Sequence, residues 1–193
     1  MRRRTIIAVL LSAVCSWSAA AVSAAECDLK EIARGENGVL YSVGRQRLMV
    51  LHGDPYRMGL QHGKFLAAEV REDIEGYLAF AEQRGQGLDK LLAVYRRLEP
   101  HIPQAYLYEM GGLAEGAGAP LDEVHAMHAT PEVFHCSGAA VFGKATSDGK
   151  LYHARSLDYS LNIGKKRKIQ ANSLIIVYKP DQGNAHVILS LSG

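Results

Sequence analysis

The sequence predicts an α+β protein built from layers of helix and sheet. Most of the first half repeats apolar residues at helical spacing, whereas the second half alternates apolar and polar residues between turn signals. Helices followed by antiparallel strands in one chain are typical of α+β architectures. The 193 residues contain no internal repeat and no low-complexity tract, so the mature chain is expected to form one domain with its own core.

The N-terminal segment has the features of a secretory signal peptide. Three arginines at positions 2–4 precede an apolar run over residues 5–15, and the small residues needed for cleavage follow at Val22-Ser23-Ala24-Ala25. The apolar run is shorter than the roughly 20 residues that a membrane span needs. We therefore predict a cleavable signal peptide over residues 1–25, no stable membrane anchor, and a mature protein that is secreted or periplasmic.

Removal of this segment changes the charge of the protein. The whole chain has 22 Lys+Arg and 20 Asp+Glu, and the loss of three arginines (22 − 3 = 19) leaves a net charge of about −1. This near-neutral charge gives no indication of a nucleic acid partner, and none is expected. The basic cluster at residues 165–168 is most simply a solvated loop.

Strands and helices are predicted in the following order along the mature chain. Residues 39–51 alternate and favour a strand or hairpin. A helix is predicted to start at Asp54-Pro55 and to end at Gly85, because apolar residues recur within it at every fourth position: Leu66, Val70, Ile74 and Leu78. Three more helices are predicted over residues 88–98, 104–116 and 121–128.

Two hairpins are predicted to follow the helices. Residues 137–146 and 151–155 flank the turn signal Asp148-Gly149, and residues 173–179 and 185–192 flank a turn at 180–184. The last strand is so apolar that both of its faces are expected to be covered. Few segments are left to cover it, so we expect the chain to be a fragment of a longer protein.

The first hairpin brings chemically active residues together. Cys136 opens it, and Arg155 and Asp158 lie near the end of its second strand. A strict two-residue turn would place Asp158 opposite Ala139, whereas a bulge at Gly143 or a longer loop would slide Asp158 toward Cys136. A cation beside a cysteine favours its thiolate, and an aspartate can orient a neighbouring amine or the arginine fork.

The same residues are compatible with structural roles. Cys136 is also suited to a disulfide with Cys27 in an oxidising compartment, or to a buried core position. Arg155 and Asp158 are equally compatible with a surface salt bridge. Three histidines lie in this region, namely His125, His128 and His135. Their pattern lacks the acidic residue of a zincin helix, so it does not favour a metal site. Ser147 and Lys150 have the spacing of an S-x-x-K motif, but they lie in a predicted turn rather than at the start of a helix, so the sequence does not favour that site.

The sequence pattern identifies no side-chain base for Cys136. A nucleophile can instead use its own α-amino group when the chain is cut just before it, which is the N-terminal-nucleophile arrangement. Residues 136–159, "CSGAAVFGKATSDGKLYHARSLDY", resemble the nucleophile segment of the acyl-coenzyme A:6-aminopenicillanic acid acyltransferase (peptidase C45) family. Upstream, "HGDPYRMGLQHG" and "GGLAEGAGAPLDEVHAMH" resemble its helical pro-region. The family is related to choloylglycine hydrolases and acid ceramidases.

The resemblance implies a four-layer αββα sandwich, incomplete in this chain, and self-cleavage before Cys136. It implies a mainly helical pro-region over residues 26–135 and the start of the nucleophile chain over residues 136–193. Cys136 matches the nucleophile, Arg155 the active-site arginine, and Asp158 the aspartate that holds the new α-amino group. The family's later asparagine and arginine have no counterpart before Gly193.

The activity that the resemblance implies is hydrolysis or acyl transfer at an amide bond of a small N-acyl or peptide substrate, with no cofactor and no metal. The remainder of the nucleophile chain is the expected partner. Two other hypotheses stay open, namely a non-enzymatic secreted domain with a Cys27–Cys136 disulfide and an unprocessed pseudoenzyme.

Overall fold

The fold is a mixed five-stranded sheet with helices packed on one face, together with a separate two-stranded hairpin. The computed structural model describes residues 28–129, 137–156, 160, 163–164 and 168–192. Predictions for the signal peptide, Cys27, Cys136 and Asp158 lie outside the described residues. The α+β class predicted from the sequence is confirmed.

The five-stranded sheet contains the first three and the last two described strands, in the order β1-β2-β3-β6-β7. The hairpin contains β4 and β5, and the predicted hairpins of the second half are both present. The strand bounds are β1 Leu29–Gly35, β2 Gly38–Val43, β3 Gln46–Gly53, β4 Ser137–Gly143, β5 Gly149–Ser156, β6 Leu174–Pro180 and β7 His186–Ser190.

Five α-helices lie between β3 and β4 within the described residues. Their bounds are α1 Pro55–Phe65, α2 Ala67–Glu82, α3 Leu88–Leu98, α4 Gln104–Ala117 and α5 Leu121–His128. A 3₁₀ turn at Glu99–His101 follows α3, and another at Ile169–Asn172 precedes β6. The predicted bounds of α3 and α5 are confirmed, and Asp54 caps α1 by accepting a hydrogen bond from the Arg57 N–H at 2.9 Å. Among the described residues, none of the helices combines the length and hydropathy that a membrane span requires.

The prediction of one helix from Asp54 to Gly85 was wrong, because the helix breaks at Leu66. The backbone of Leu66 leaves helical geometry at φ −125° and ψ 28°. The break separates two packing faces. The α1 helix packs a face containing Gly59 and Gly63 against α4, whereas α2 turns Val70 and Ile74 into the main core. Each helix keeps helical periodicity, so the sequence pattern did not show the break.

The sheet also differs from the all-antiparallel arrangement that was expected. Strand β3 pairs with β6 in parallel, with Met49 opposite Ile176, and β1 adds an antiparallel edge strand that was not predicted. More than one hundred residues separate β3 from β6 in the chain. A local pattern identifies a segment as a strand but does not identify a distant partner.

Close contact between α1 and α4 depends on glycine. A Cβ atom on Gly59 would collide with the carbonyl oxygen of Glu109, and one on Gly112 would collide with the carbonyl oxygen of Tyr56. The two backbones can therefore approach closely only without side chains at these positions. This contact fixes α4, and with it Glu109, beside the sheet.

The two faces of the five-stranded sheet differ in burial. The face toward the helices carries the core residues Leu40, Met49, Leu51 and Ile176. The opposite face carries two rows of apolar side chains across β2, β3, β6 and β7. In strand order these are Val39, Val50, Val177 and Val187 in one row, and Tyr41, Leu48, Ile175 and Leu189 in the other. These residues are half-buried or exposed, and Leu189 is 74% exposed.

Candidate functional site

The β4–β5 hairpin has a longer connection than a strict two-residue turn. Such a turn would pair Arg155 with Phe142, but Arg155 pairs with Gly138, and Ser156 pairs with Ser137. A register shift between Val141 and Gly143 and a loop before Gly149 produce this offset. The alternative of a bulge or longer loop is therefore confirmed, and Arg155 lies opposite a residue only two positions after Cys136.

The loop of the hairpin is fixed by Asp148. Its carboxylate accepts hydrogen bonds from the Lys150 N–H at 3.1 Å and from the Tyr152 hydroxyl at 2.9 Å. The bond from the Lys150 N–H is the main reason why the pKa of Asp148 is lowered. Gly149 follows with a φ of +70°, in the left-handed region that favours glycine. The predicted Asp148-Gly149 turn thus holds the two strands in their register.

Every residue of β4 and β5 is exposed in the described structure, including apolar ones. Phe142 is 67% exposed and Leu151 is 65% exposed. The Arg155 side chain is exposed as well, and no carboxylate among the described residues forms an ion pair with it. Its two predicted partners, Cys136 and Asp158, lie outside the described residues, so their grouping with Arg155 stays a prediction.

The histidines of α5 have structural partners. His125 stacks on Tyr95 with ring centroids 4.1 Å apart. His128 is paired through Nδ1 with the carbonyl oxygen of Val124 at 2.8 Å. No group of three potential metal ligands occurs within the ranges that the structure describes, and His135 lies outside them.

A cavity of about 520 Å³ lies between the helices and strands β6 and β7. It is lined by apolar side chains and by a few polar ones, among them Glu109, Tyr178, His128 and the buried His62. The sequence pattern did not predict this cavity. Glu109 and Tyr178 are far apart in the chain, and a glutamate on an amphipathic helix is usually solvated, so no local signal marked it.

Several polar groups that line the cavity have pKa values shifted from their ordinary values. Burial raises the pKa of Glu109, and the interaction of its carboxyl with the Tyr178 hydroxyl opposes that shift. Burial also raises the pKa of Tyr178. Burial lowers the pKa of His62 to about 4 and that of His128 below its usual value, so both imidazoles are neutral near neutral pH.

A buried polar cluster adjoins the cavity and anchors the last described residues. The Arg47 guanidinium donates to Glu69 at 3.1 Å and to the carbonyl oxygen of Asn172 at 3.2 Å. The Asn172 amide donates to the carboxylate of Asp73 at 2.7 Å, and the Ser192 hydroxyl donates to the Asn172 carbonyl oxygen at 2.9 Å. The cluster therefore ties β3 and α2 to the end of the described chain.

No family model matches the chain. It is 28% identical over 182 residues to Protein dcd1B from Dictyostelium discoideum, an alignment that covers 79% of this chain and 36% of that protein. It is 22% identical over 177 residues to Protein dcd1A from the same organism, covering 77% of this chain and 40% of that protein.

A third similarity is to an uncharacterized protein from Archaeoglobus fulgidus, which is 29% identical over 199 residues, covering 86% of this chain and 32% of that protein. The chain thus spans between about a third and two fifths of the length of the curated relatives it matches.

Proposed function

We propose that this chain carries the nucleophile segment of an autoproteolytic cysteine N-terminal-nucleophile hydrolase or acyltransferase that acts on amide bonds. In this proposal Cys136 is the nucleophile, Arg155 the active-site cation, and Asp158 the partner of the new α-amino group. The observation that carries the proposal is the register of the β4–β5 hairpin, in which Arg155 lies opposite Gly138, two residues after Cys136.

The half-buried and exposed apolar side chains of the two sheets support the finer fold prediction, the four-layer αββα sandwich. Helices cover one face of the five-stranded sheet, while the opposite face carries two rows of apolar side chains. The β4–β5 hairpin also exposes apolar side chains on its strands, among them Phe142 and Tyr152. We propose that a second sheet, which includes this hairpin, packs on the open face in the full-length protein. Face-to-face sheets bury such rows about 10 Å apart.

Maturation in this proposal is an internal rearrangement. The Cys136 sulfur attacks the carbonyl carbon of His135, the C–N bond between the two residues breaks, and the Cys136 nitrogen takes up a proton to become an amine. Water then hydrolyses the thioester, which releases a His135 carboxylate and a free Cys136 thiol. The new α-amine has an ordinary pKa of about 7.7–8.0, suited to a general base near neutral pH.

Turnover would use the same sulfur on a substrate amide. The α-amine accepts the thiol proton, the thiolate attacks the amide carbonyl, and the leaving amine receives that proton. Water or an acceptor amine then takes the acyl group from the thioester. Backbone N–H groups would stabilise the oxyanion of each tetrahedral intermediate. Export through the signal peptide would place this chemistry outside the cytoplasm.

Intact-mass analysis of the full-length protein tests the proposal, with the wild type beside Cys136→Ala. We expect two fragments from the purified wild type, one of which begins at Cys136, and a single chain from the variant. A wild type that hydrolyses amides while staying one chain would overturn the N-terminal-nucleophile assignment. An uncut, inactive wild type would favour the pseudoenzyme, and a Cys27–Cys136 disulfide found by thiol counting would favour the non-enzymatic domain.

A further inference from the structure

The cavity behind strands β6 and β7 is not used by the proposed reaction of Cys136. Its volume of about 520 Å³ falls in the range of small-molecule sites. Most of its wall is apolar and comes from three helices, two strands and the segments next to them. The apolar wall residues include Ile102, Met110, Leu113, Ile176, Ile188 and Leu191.

The described lining of the cavity contains an acidic side chain but no lysine or arginine to balance it. Glu109 is the one carboxylic acid among the described residues that line it, and no lysine or arginine is among them. Burial raises the pKa of Glu109 even though the Tyr178 hydroxyl and the charge of His186 oppose that shift, so the cost of burying this carboxylate is only partly compensated. A ligand that brings a positive charge would remove this cost, whereas an anionic ligand would increase it.

Two histidines of the cavity, His62 and His128, contribute acceptors rather than charge. His62 Nε2 lies 2.8 Å from the Ser192 carbonyl oxygen, and His128 Nδ1 lies 2.8 Å from that of Val124. A carbonyl oxygen only accepts, so each of these ring nitrogens carries the hydrogen. The other ring nitrogen of each neutral imidazole is left as an acceptor. Together with the Glu109 carboxylate, these groups suit a ligand that presents several N–H donors.

Aromatic rings strengthen the preference for a cation. The rings of Tyr178 and His186 stack with centroids 4.9 Å apart and an interplanar angle of 13°, and both rings line the cavity with Tyr106. The face of a tyrosine ring attracts a cation electrostatically. Tyr178 also interacts through its hydroxyl with Glu109, so the negative and aromatic groups lie together.

We propose that this cavity binds a primary ammonium group carried on an apolar body, that is, a hydrophobic amine. Glu109 is its counter-ion, Tyr178 and His186 supply the aromatic surface beside it, and the apolar wall holds the alkyl or aryl part. The proposal rests on the cavity alone and does not require that Cys136 be a nucleophile.

Isothermal titration calorimetry on the 193-residue chain tests this site with three probes of equal length, namely octylamine, octanol and octanoate. We expect octylamine at neutral pH to bind roughly tenfold or more tightly than octanol, and octanoate to bind most weakly, because the ion pair with Glu109 adds to the same apolar contacts. Equal binding of octylamine and octanol, tighter binding of octanoate, or no binding of any probe would overturn the proposal.

Variants locate the bound amine. Glu109→Gln keeps the shape of the side chain and removes its charge, so it should abolish the preference for octylamine while octanol binds as before. Glu115→Gln makes the same change on the exposed side of α4 and should preserve the preference. Ile188→Trp fills the cavity and should weaken both probes. A preference for octylamine that survives in Glu109→Gln would refute the assignment.

Discussion

The helix-covered body, meaning α1–α5 and the sheet face that they cover, buries its apolar side chains, whereas the β4–β5 hairpin exposes them. In the body, Leu51 is fully buried between the sheet and the helices, with 0% of its surface exposed. In the hairpin, Leu151 is 65% exposed. The same residue type thus supplies stability in one region and an uncovered apolar surface in the other.

This difference indicates that the two regions have different roles, one in stability and the other in the proposed chemistry. The body contains the buried core, the glycine contact between α1 and α4, and the polar cluster around Asp73. The hairpin contributes none of the buried core residues, yet it carries Arg155 and follows directly after Cys136. We therefore expect changes in the body to alter folding, and changes in the hairpin to alter chemistry and assembly.

Matched leucine substitutions should show the largest difference in stability. Leu51→Ala should lower the free energy of unfolding by about 2–5 kcal/mol, because it leaves a cavity in a packed core. Leu151→Ala should change it by less than about 0.5 kcal/mol in the 193-residue chain. Urea unfolding followed by circular dichroism measures both. Similar losses in the two variants would show that the hairpin is packed against the body and would break the comparison.

Glycine substitutions test the contact that positions α4. Gly59→Ala should destabilise the protein by about 1–3 kcal/mol, because its new methyl group meets the backbone of α4. Gly111→Ala is the matched control, since a Cβ there meets nothing within 4 Å. It should stabilise α4 by about 0.5–1 kcal/mol. The midpoints of thermal unfolding check both values, and a neutral Gly59→Ala would contradict the close approach of the helices.

The pH dependence of stability tests the polar cluster. Burial raises the pKa of Asp73 to about 6, above its ordinary value, so its contribution to stability grows as the pH falls from about 6 to 4. Burial lowers the pKa of His62 to about 4, so its contribution is lost as the pH falls from about 6.5 to 4. The two effects oppose each other within nearly the same pH window.

Asp73→Asn removes the contribution that grows in acid, so this variant should lose stability more steeply than the wild type between pH of about 6.5 and 4. Urea unfolding at several pH values measures the slope. His62→Gln is the informative control, since it should change the slope in the opposite direction. Parallel pH profiles for the wild type and Asp73→Asn would contradict the raised pKa of the buried carboxyl.

Substitutions at the candidate site should have the smallest effect on stability. Arg155→Lys should change the free energy of unfolding by less than about 0.5 kcal/mol, because Arg155 is exposed on β5. In the full-length protein it should nevertheless impair maturation and turnover, since lysine lacks the planar guanidinium fork. Asp158→Asn should impair both in the same way. Near-normal maturation and turnover in both variants would refute their assigned roles.

Local patterns predicted much of the fold. The predicted bounds of α3 and α5 were correct, Asp54 was identified as a helix start, and both predicted hairpins of the second half are present. These features depend on residues close together in the chain, such as a cap, a turn or a run with one period. A single sequence records such interactions directly.

Features that depend on distant residues were not predicted. The break at Leu66 divides α1, which packs on the distant α4, from α2, and the parallel β3–β6 pair joins segments more than one hundred residues apart. The cavity likewise combines Glu109 of α4 with Tyr178 of β6. The candidate site at Cys136 was predicted from residue types and resemblance, and the hairpin register adds only the position of Arg155 relative to Gly138.

The central claim is that Cys136 becomes the first residue of a new chain, and chemistry specific to an N-terminal cysteine tests it most directly. A cyanobenzothiazole reagent condenses with an amine and a thiol on adjacent carbons, which an internal cysteine does not offer. In the purified full-length protein, one label should attach to the fragment that begins at Cys136, and Cys136→Ala should take none. An amide-hydrolysing wild type that takes no label would contradict the account.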